Sequence, residues 1–156
     1  MAQVEGWLGK WFQRHEFVRN RHGITVVPTD EQWRRMGVLV FSVLDPVREY
    51  VGRPVRVTSG VRNDALNLAV GGSPTSQHKE GEAVDIKATD MTSAELVRAI
   101  LASGVTFDQL IGYHPSHGGH VHISYTERRP NRGEVLWVPA GGKRYVPWKA
   151  ADGILA

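Results

Sequence analysis

Two short stretches of this 156-residue chain hold side chains able to bind a cation. His78 and Asp85 flank the segment Lys79-Glu80-Gly81-Glu82-Ala83-Val84, and Asp85 stands between Val84 and Ile86. Neighbouring side chains of a strand point to opposite faces, so Asp85 faces away from those two apolar residues. Further on, His120-Val121-His122 places two imidazoles on one face of any strand it forms. Each element alone has an ordinary explanation: a His–Asp hydrogen bond for the first, a polar sheet face for the second. Together they offer His, Asp and His, donors suited to Zn²⁺ with a fourth position left open, the arrangement of a catalytic site. Cysteine is absent. Thiolate zinc sites, iron–sulfur clusters, disulfide frameworks and cysteine nucleophiles are excluded, and any metal must rest on His, Asp or Glu.

The charge distribution agrees with a cation site at the centre of the chain. Residues 1–60 carry nine basic and six acidic side chains, residues 61–125 four and seven, and residues 126–156 six and three. Five of the seven histidines (His78, His114, His117, His120 and His122) lie in the acidic middle. Basic flanks suit an anionic polymer, although a net charge of +3 also simply favours solubility. The composition is that of a globular chain of about one domain. No apolar run is long enough to span a membrane. The start, Met1 to Trp7, lacks the basic region and apolar stretch of a secretory signal.

The elements that must position these residues can be read from periodicity and caps. Val4, Trp7, Leu8, Trp11, Phe12 and His15 fall at helical spacing and predict a helix over residues 4–18. Thr29-Asp30-Glu31-Gln32 fits a capping box, followed by a long helix through Trp33, Met36, Val40, Val43, Val47 and Tyr50 that Pro46 should kink or restart. Strands are expected at 54–58, 83–87, 109–111, 120–125 and 135–138, with helices at about 63–70 and from the Thr92 cap to Gly104. This order predicts an α+β fold with a mainly antiparallel sheet and N-terminal helices packed on it. One domain over 1–156 is expected: a helical part at about 1–52, a metal-site part at about 53–126 and a C-terminal strand and tail at about 127–156.

Five motifs in this order carry a resemblance. They are Ser59-Gly60-Val61-Arg62 with Asn67, then Val70-Gly71-Gly72 with Ser76-Gln77-His78, Gly81 to Asp85, Phe107 to Ile111, and Val121-His122-Ile123-Ser124. The stretch from about Phe17 to Tyr125 resembles the zinc D-Ala-D-Ala carboxypeptidases of peptidase family M15, most closely their phage-endolysin-like branch. The resemblance implies a hedgehog/DD-peptidase-like fold and one Zn²⁺ per chain held by His78, Asp85 and His122. It assigns Arg62 to the substrate and implies that Ser76 and Gln77 bind substrate or orient His78. For Arg62 the ordinary alternative is a surface salt bridge with Asp64 or Glu95. Many relatives carry a carboxylate base three positions before the last histidine ligand, or just after the Gln109-Leu110-Ile111 strand. Here those positions are Gly119 and Tyr113. His117 and His120 resemble instead the branch that uses histidines, and become the expected catalytic pair, His117 carrying the proton.

The expected function is a zinc peptidase that cuts stem peptides or cross-bridges of peptidoglycan, as a DD-carboxypeptidase or endopeptidase. A phage endolysin or virion-associated lysin fits the missing signal: made in the cytoplasm, acting on the wall after holin-type release or from a particle. Monomeric action on peptidoglycan, without nucleic acid or membrane insertion, is expected. The alternative from another class is a non-catalytic, zinc-stabilised cell-wall-binding or phage-tail module. A nucleic-acid-binding domain, raised by a sequence pI near 9.4, lacks a recognition helix or an aromatic–basic strand motif.

Overall fold

A computed structural model describes residues 4–142 and 144–150. Its architecture is α+β. The N-terminal segment is the main departure from the sequence expectation. In place of a helix over 4–18 there is a hairpin, β1 (Trp7–Leu8) with β2 (Phe12–Gln13), then a 3₁₀ turn at Arg14–Phe17. The helical spacing was real but Gly6 and Gly9 overrule it, both with positive φ that a continuing helix forbids. Gly9 also lies so close to Val40 and Asp45 that a Cβ there would collide with both. Leu8 and Phe12 become cross-strand partners and are buried.

The second helical expectation is met in a modified form. Thr29 Oγ1 accepts from Gln32 N at 3.1 Å, and Gln32 Oε1 accepts from Thr29 N at 2.8 Å, so two orphan donors are satisfied at the entry to α1 (Asp30–Leu39). A π-turn at Val40–Leu44 follows, then α2 (Asp45–Val51). Pro46 supplies no N–H, and the loosened turn just before it, where Asp45 N–H reaches Val40 O, lets the helix restart with Pro46 in its first turn. Trp33, Met36, Leu39, Val40, Val43, Leu44 and Val47 are all buried.

The remaining elements are β3 (Val55–Ser59), α3 (Asp64–Ala69), α4 (Gln77–Glu80), β4 (Ala83–Ala88), α5 (Ser93–Ser103), β5 (Gln109–Tyr113), β6 (Val121–Ser124), β7 (Glu134–Val138) and β8 (Val146–Pro147). Strands β3 to β8 form a six-stranded sheet in the order β3-β4-β6-β5-β7-β8. The sheet is mixed: β5 and β7 run parallel, and the other neighbours run antiparallel. The expected sheet therefore gains a parallel pair, because the chain leaving β6 passes to the far side of β5 before β7 begins. Of the expected C-terminal tail, residues 151–156 lie outside the described residues.

Register sets what each face carries. Ser59, Asp85, His122, Ile111 and Leu136 stand side by side across five strands. Alternation sends Val84, Ile86, Val121, Ile123 and Leu110 to the other face, where they share one buried core with Leu96, Val97 and Ile100 of α5 and with the long N-terminal helix. One face is thus apolar and covered, and the other is left for chemistry. No helix among the described residues is long and apolar enough to cross a membrane.

Candidate metal centre

His78, Asp85 and His122 reach the polar face from three elements. Asp85 and His122 are direct cross-strand partners on β4 and β6. His78 comes from the short helix α4, whose cap Ser76 accepts from His78 N at 3.2 Å. The Arg62 amide donates to the His78 carbonyl at 3.0 Å, tying this helix to the preceding loop. The His78 ring is fixed from behind: Nδ1 lies 2.8 Å from the Gly60 carbonyl oxygen. A carbonyl can only accept, so Nδ1 carries the proton and Nε2 presents a lone pair to the site. Gly60 can serve in this way because it packs directly on the backbone of Phe17, where any Cβ would collide.

The donor atoms form a nearly equilateral triangle. His78 Nε2 lies 3.2 Å from His122 Nδ1 and 3.3 Å from Asp85 Oδ1, and His122 Nδ1 lies 3.1 Å from the same oxygen. Donors ~2.0–2.1 Å from a tetrahedral Zn²⁺ are separated by about 3.3 Å, so the triangle matches one face of such a polyhedron. The protonation states fit as well. Burial alone would raise the Asp85 carboxyl, but the charge of His78 and the hydrogen bond from His122 hold it well below the usual carboxylate range. Burial pushes His122 down, against the pull of Asp85, which favours a neutral imidazole. A zinc ion takes a carboxylate and neutral imidazoles as ligands, and the shifts of Asp85 and His122 run in that direction. His78, Asp85 and His122 are the one group of this kind among the described residues.

Around the triangle lies a cleft of about 1030 Å³, at the upper end of the ~300–1,000 Å³ usual for ligand sites. Every other residue expected from the sequence reaches it: Arg62, Ser76, Gln77, His117 and His120. Arg62 is largely buried, and its partner is neither Asp64 nor Glu95. Its Nη2 donates to Asp85 Oδ2 at 3.4 Å, its Nε to Ser59 Oγ at 3.3 Å and its Nη1 to Asn67 Oδ1 at 3.4 Å. Asp64 pairs with Lys79, and Glu95 completes the capping box of α5. Asp85 thus offers one oxygen to the histidines and the other to Arg62. Burial pushes the Arg62 guanidinium down, with Asp85 opposing it.

The two loop histidines differ. His120 Nε2 lies 3.9 Å from Asp85 Oδ2, and its ring stacks on Tyr113 at 4.1 Å between centroids. Burial lowers its pKa, partly offset by Asp85. His117 sits at the end of the 3₁₀ turn Pro115–His117, and its buried Nε2 has no hydrogen-bond partner among the described residues. Gln77 Nε2 is likewise buried and unpartnered. Sequence reasoning missed Gly60, Ser59 and Asn67 as supports of this site, together with Lys87 on its floor and Tyr145 at its wall. Ser59, Gly60 and Asn67 all stand in the motif around Arg62, but that Gly60 acts through its backbone carbonyl leaves no mark in the sequence.

Fold and donor set together define a class, α+β metalloproteins with a buried three-donor site in an open cleft. Residues 11–124 match the Peptidase M15 family, and the chain belongs to that family of zinc-dependent metallopeptidases. No curated protein matches the chain in a sequence comparison.

Proposed function

We propose that this protein is a zinc-dependent peptidase that hydrolyses a peptide bond of peptidoglycan, in the stem peptide or the cross-bridge, as a DD-carboxypeptidase or endopeptidase does. The observation that carries this reading is the triangle of His78 Nε2, Asp85 Oδ1 and His122 Nδ1 inside the cleft of a peptidase M15 chain. In that role the three residues hold the ion, and bound zinc supplies Lewis acidity, polarising a carbonyl and acidifying water. Asp85 is kept in position by Arg62 and His78 by Gly60. The rest of the Arg62 fork is held only by long bonds to Ser59 and Asn67, so it can turn to a substrate carboxylate or to the oxygen that gains charge in the transition state. His117 Nε2 takes a proton from the attacking water and returns it to the leaving amine, with His120, just before β6, lining the same cleft. Ser76 fixes the entry to the His78 helix, and the free Gln77 Nε2 donates to the bound peptide.

The setting proposed is a phage endolysin or virion-associated lysin, made in the cytoplasm and reaching the wall after holin-type release or from a particle, and acting as a monomer. Digestion of purified peptidoglycan by the zinc-loaded protein, with new termini identified by mass spectrometry, tests the reading. New amine and carboxyl termini at a single bond type, abolished by a chelator, are expected. One observation favours a second reading, a non-catalytic zinc-stabilised wall-binding module: no carboxylate stands at Gly119 or Tyr113. Binding to peptidoglycan with no new termini would select that alternative.

A further inference from the structure

The wall of the cleft includes a residue from beyond the segment 11–124 that carries the family match. Tyr145 lines the same cleft as the donor triangle and is 57% exposed, although tyrosine is a residue that usually covers its ring. It is well anchored. It immediately precedes β8, whose Val146 and Pro147 pair with Trp137 and Leu136. The next residue, Trp148, donates from its backbone to Val135 O at 3.1 Å, and its ring meets Trp137 edge-on at 5.5 Å.

A chain of ring contacts leads from Tyr145 to the donors. Its hydroxyl lies 3.5 Å from that of Tyr113, and the two rings meet edge-on at 6.4 Å. Tyr113 stacks on His120, which lies 3.9 Å from Asp85. Both tyrosines are near enough to Arg62 to act on its charge. An anchored, exposed aromatic ring with a hydroxyl at its tip offers apolar area and one hydrogen bond at small entropic cost. That combination suits a peptide of small side chains, whose methyl groups pack on the ring while an amide meets the hydroxyl.

We propose that Tyr145 is a substrate-binding residue that holds the peptide alongside the metal site. The proposal rests on the peptidase reading for its ligand class, so the test separates the two. The zinc-loaded protein is titrated with a stem pentapeptide whose L-Ala–D-Glu and D-Ala–D-Ala amides are both reduced, and hydrolysis of the unreduced form is followed in parallel. Tyr145→Ala is expected to weaken binding by about tenfold and to raise KM in step, with kcat within about twofold of wild type. Tyr145→Phe, which keeps the ring, should weaken it by only about threefold. Zinc stoichiometry and Tm should match wild type in both. If Tyr145→Ala binds the reduced peptide as tightly as wild type, the proposal is overturned. Wild-type protein that binds the reduced peptide but releases no new termini from the unreduced peptide or from cross-linked peptidoglycan overturns the peptidase reading alone, and the affinities still decide the role of Tyr145. A wild type that does not bind the peptide overturns the assignment of Tyr145.

Discussion

Asp85 and Asp108 are both buried carboxylates on or beside the central sheet, yet they are treated in opposite ways. Asp108 is saturated. Arg129 grips it with two bonds of 2.7 and 2.9 Å, Arg132 with two of 3.1 and 3.0 Å, and the Arg132 amide adds a fifth at 3.0 Å. Burial would raise its pKa, but these donors hold it well below the usual carboxylate range. Asp85 has only one long contact to Arg62, and its other oxygen faces an imidazole nitrogen of His78 and one of His122. The first carboxylate is a finished clamp that fastens the 126–133 loop to the start of β5. The second is unfinished, and in the proposed function a metal ion completes it. Five donors leave Asp108 no room for a further partner, whereas Asp85, with few donors and two imidazoles beside it, leaves room for one.

The sharpest way to break this comparison is to remove a donor from the unfinished site. His78→Ala is expected to lose zinc almost completely by metal analysis and to lose all measurable hydrolysis. The apo-protein should stay folded, because the core does not pass through the metal. Full zinc retention would detach His78 from the site. Next in size is His117→Ala, where zinc should remain and kcat should fall by about 10²–10⁴, the range for loss of a general base or acid. His120→Ala, measured beside it, shows which histidine carries the proton. If both variants turn over like wild type, no histidine base operates.

Arg62→Ala should follow, with kcat/KM down by about 10²-fold, near 2.7 kcal/mol, and zinc binding weakened only modestly through Asp85. Arg62→Lys should recover part of the rate, since an ammonium cannot reproduce the planar fork. On the finished side, Asp108→Asn is expected to cost about 2 kcal/mol in chemical denaturation, with zinc stoichiometry unchanged. Both arginines there are nearly half exposed and can turn to water, which keeps the loss below that of a fully buried pair.

The smallest effect is a change of slope with pH. The depressed pKa of Asp108 means that its stabilisation is whole above the unfolded value of ~3.9 and drains away as pH falls further, toward the folded value. Stability of wild type should therefore drop more steeply than that of Asp108→Asn below about pH 4, and the two should run parallel above pH 5. Parallel curves throughout would remove Asp108 from the acid response.

How far this comparison could be read from the sequence depended on the range of each interaction. The Thr92 cap of α5 and the facing of Asp85 were legible because both follow from a few adjacent residues. The pairing of Asp85 with His122 was suggested by ligand chemistry, but their adjacency rests on strand order, which no local pattern encodes. The 4–18 segment misled because hydrophobic spacing was weighed without Gly6 and Gly9. For Arg62 the sequence offered a substrate role, with a salt bridge to Asp64 or Glu95 as the ordinary alternative; neither acid is its partner, which is Asp85, 23 residues on, brought there by strand β4. Asp108 belongs to the Phe107–Ile111 motif, but its clamp role left no local mark, since its partners Arg129 and Arg132 counted only toward the basic 126–156 flank.

The strand order also governs when the pocket can exist. β6 lies between β4 and β5 although β5 precedes it in the chain, so Asp85 and His122 meet only once β6 has paired with β4. Closing such long-range contacts is the slow part of folding a mixed sheet. The donor triangle therefore exists only where β6 has paired with β4, a contact between residues 37 apart in the chain. Where that pairing forms after the folding transition state, a cation held there slows unfolding and leaves refolding unchanged. In a chevron analysis, added zinc should lower the unfolding limb and leave the refolding limb almost where it was.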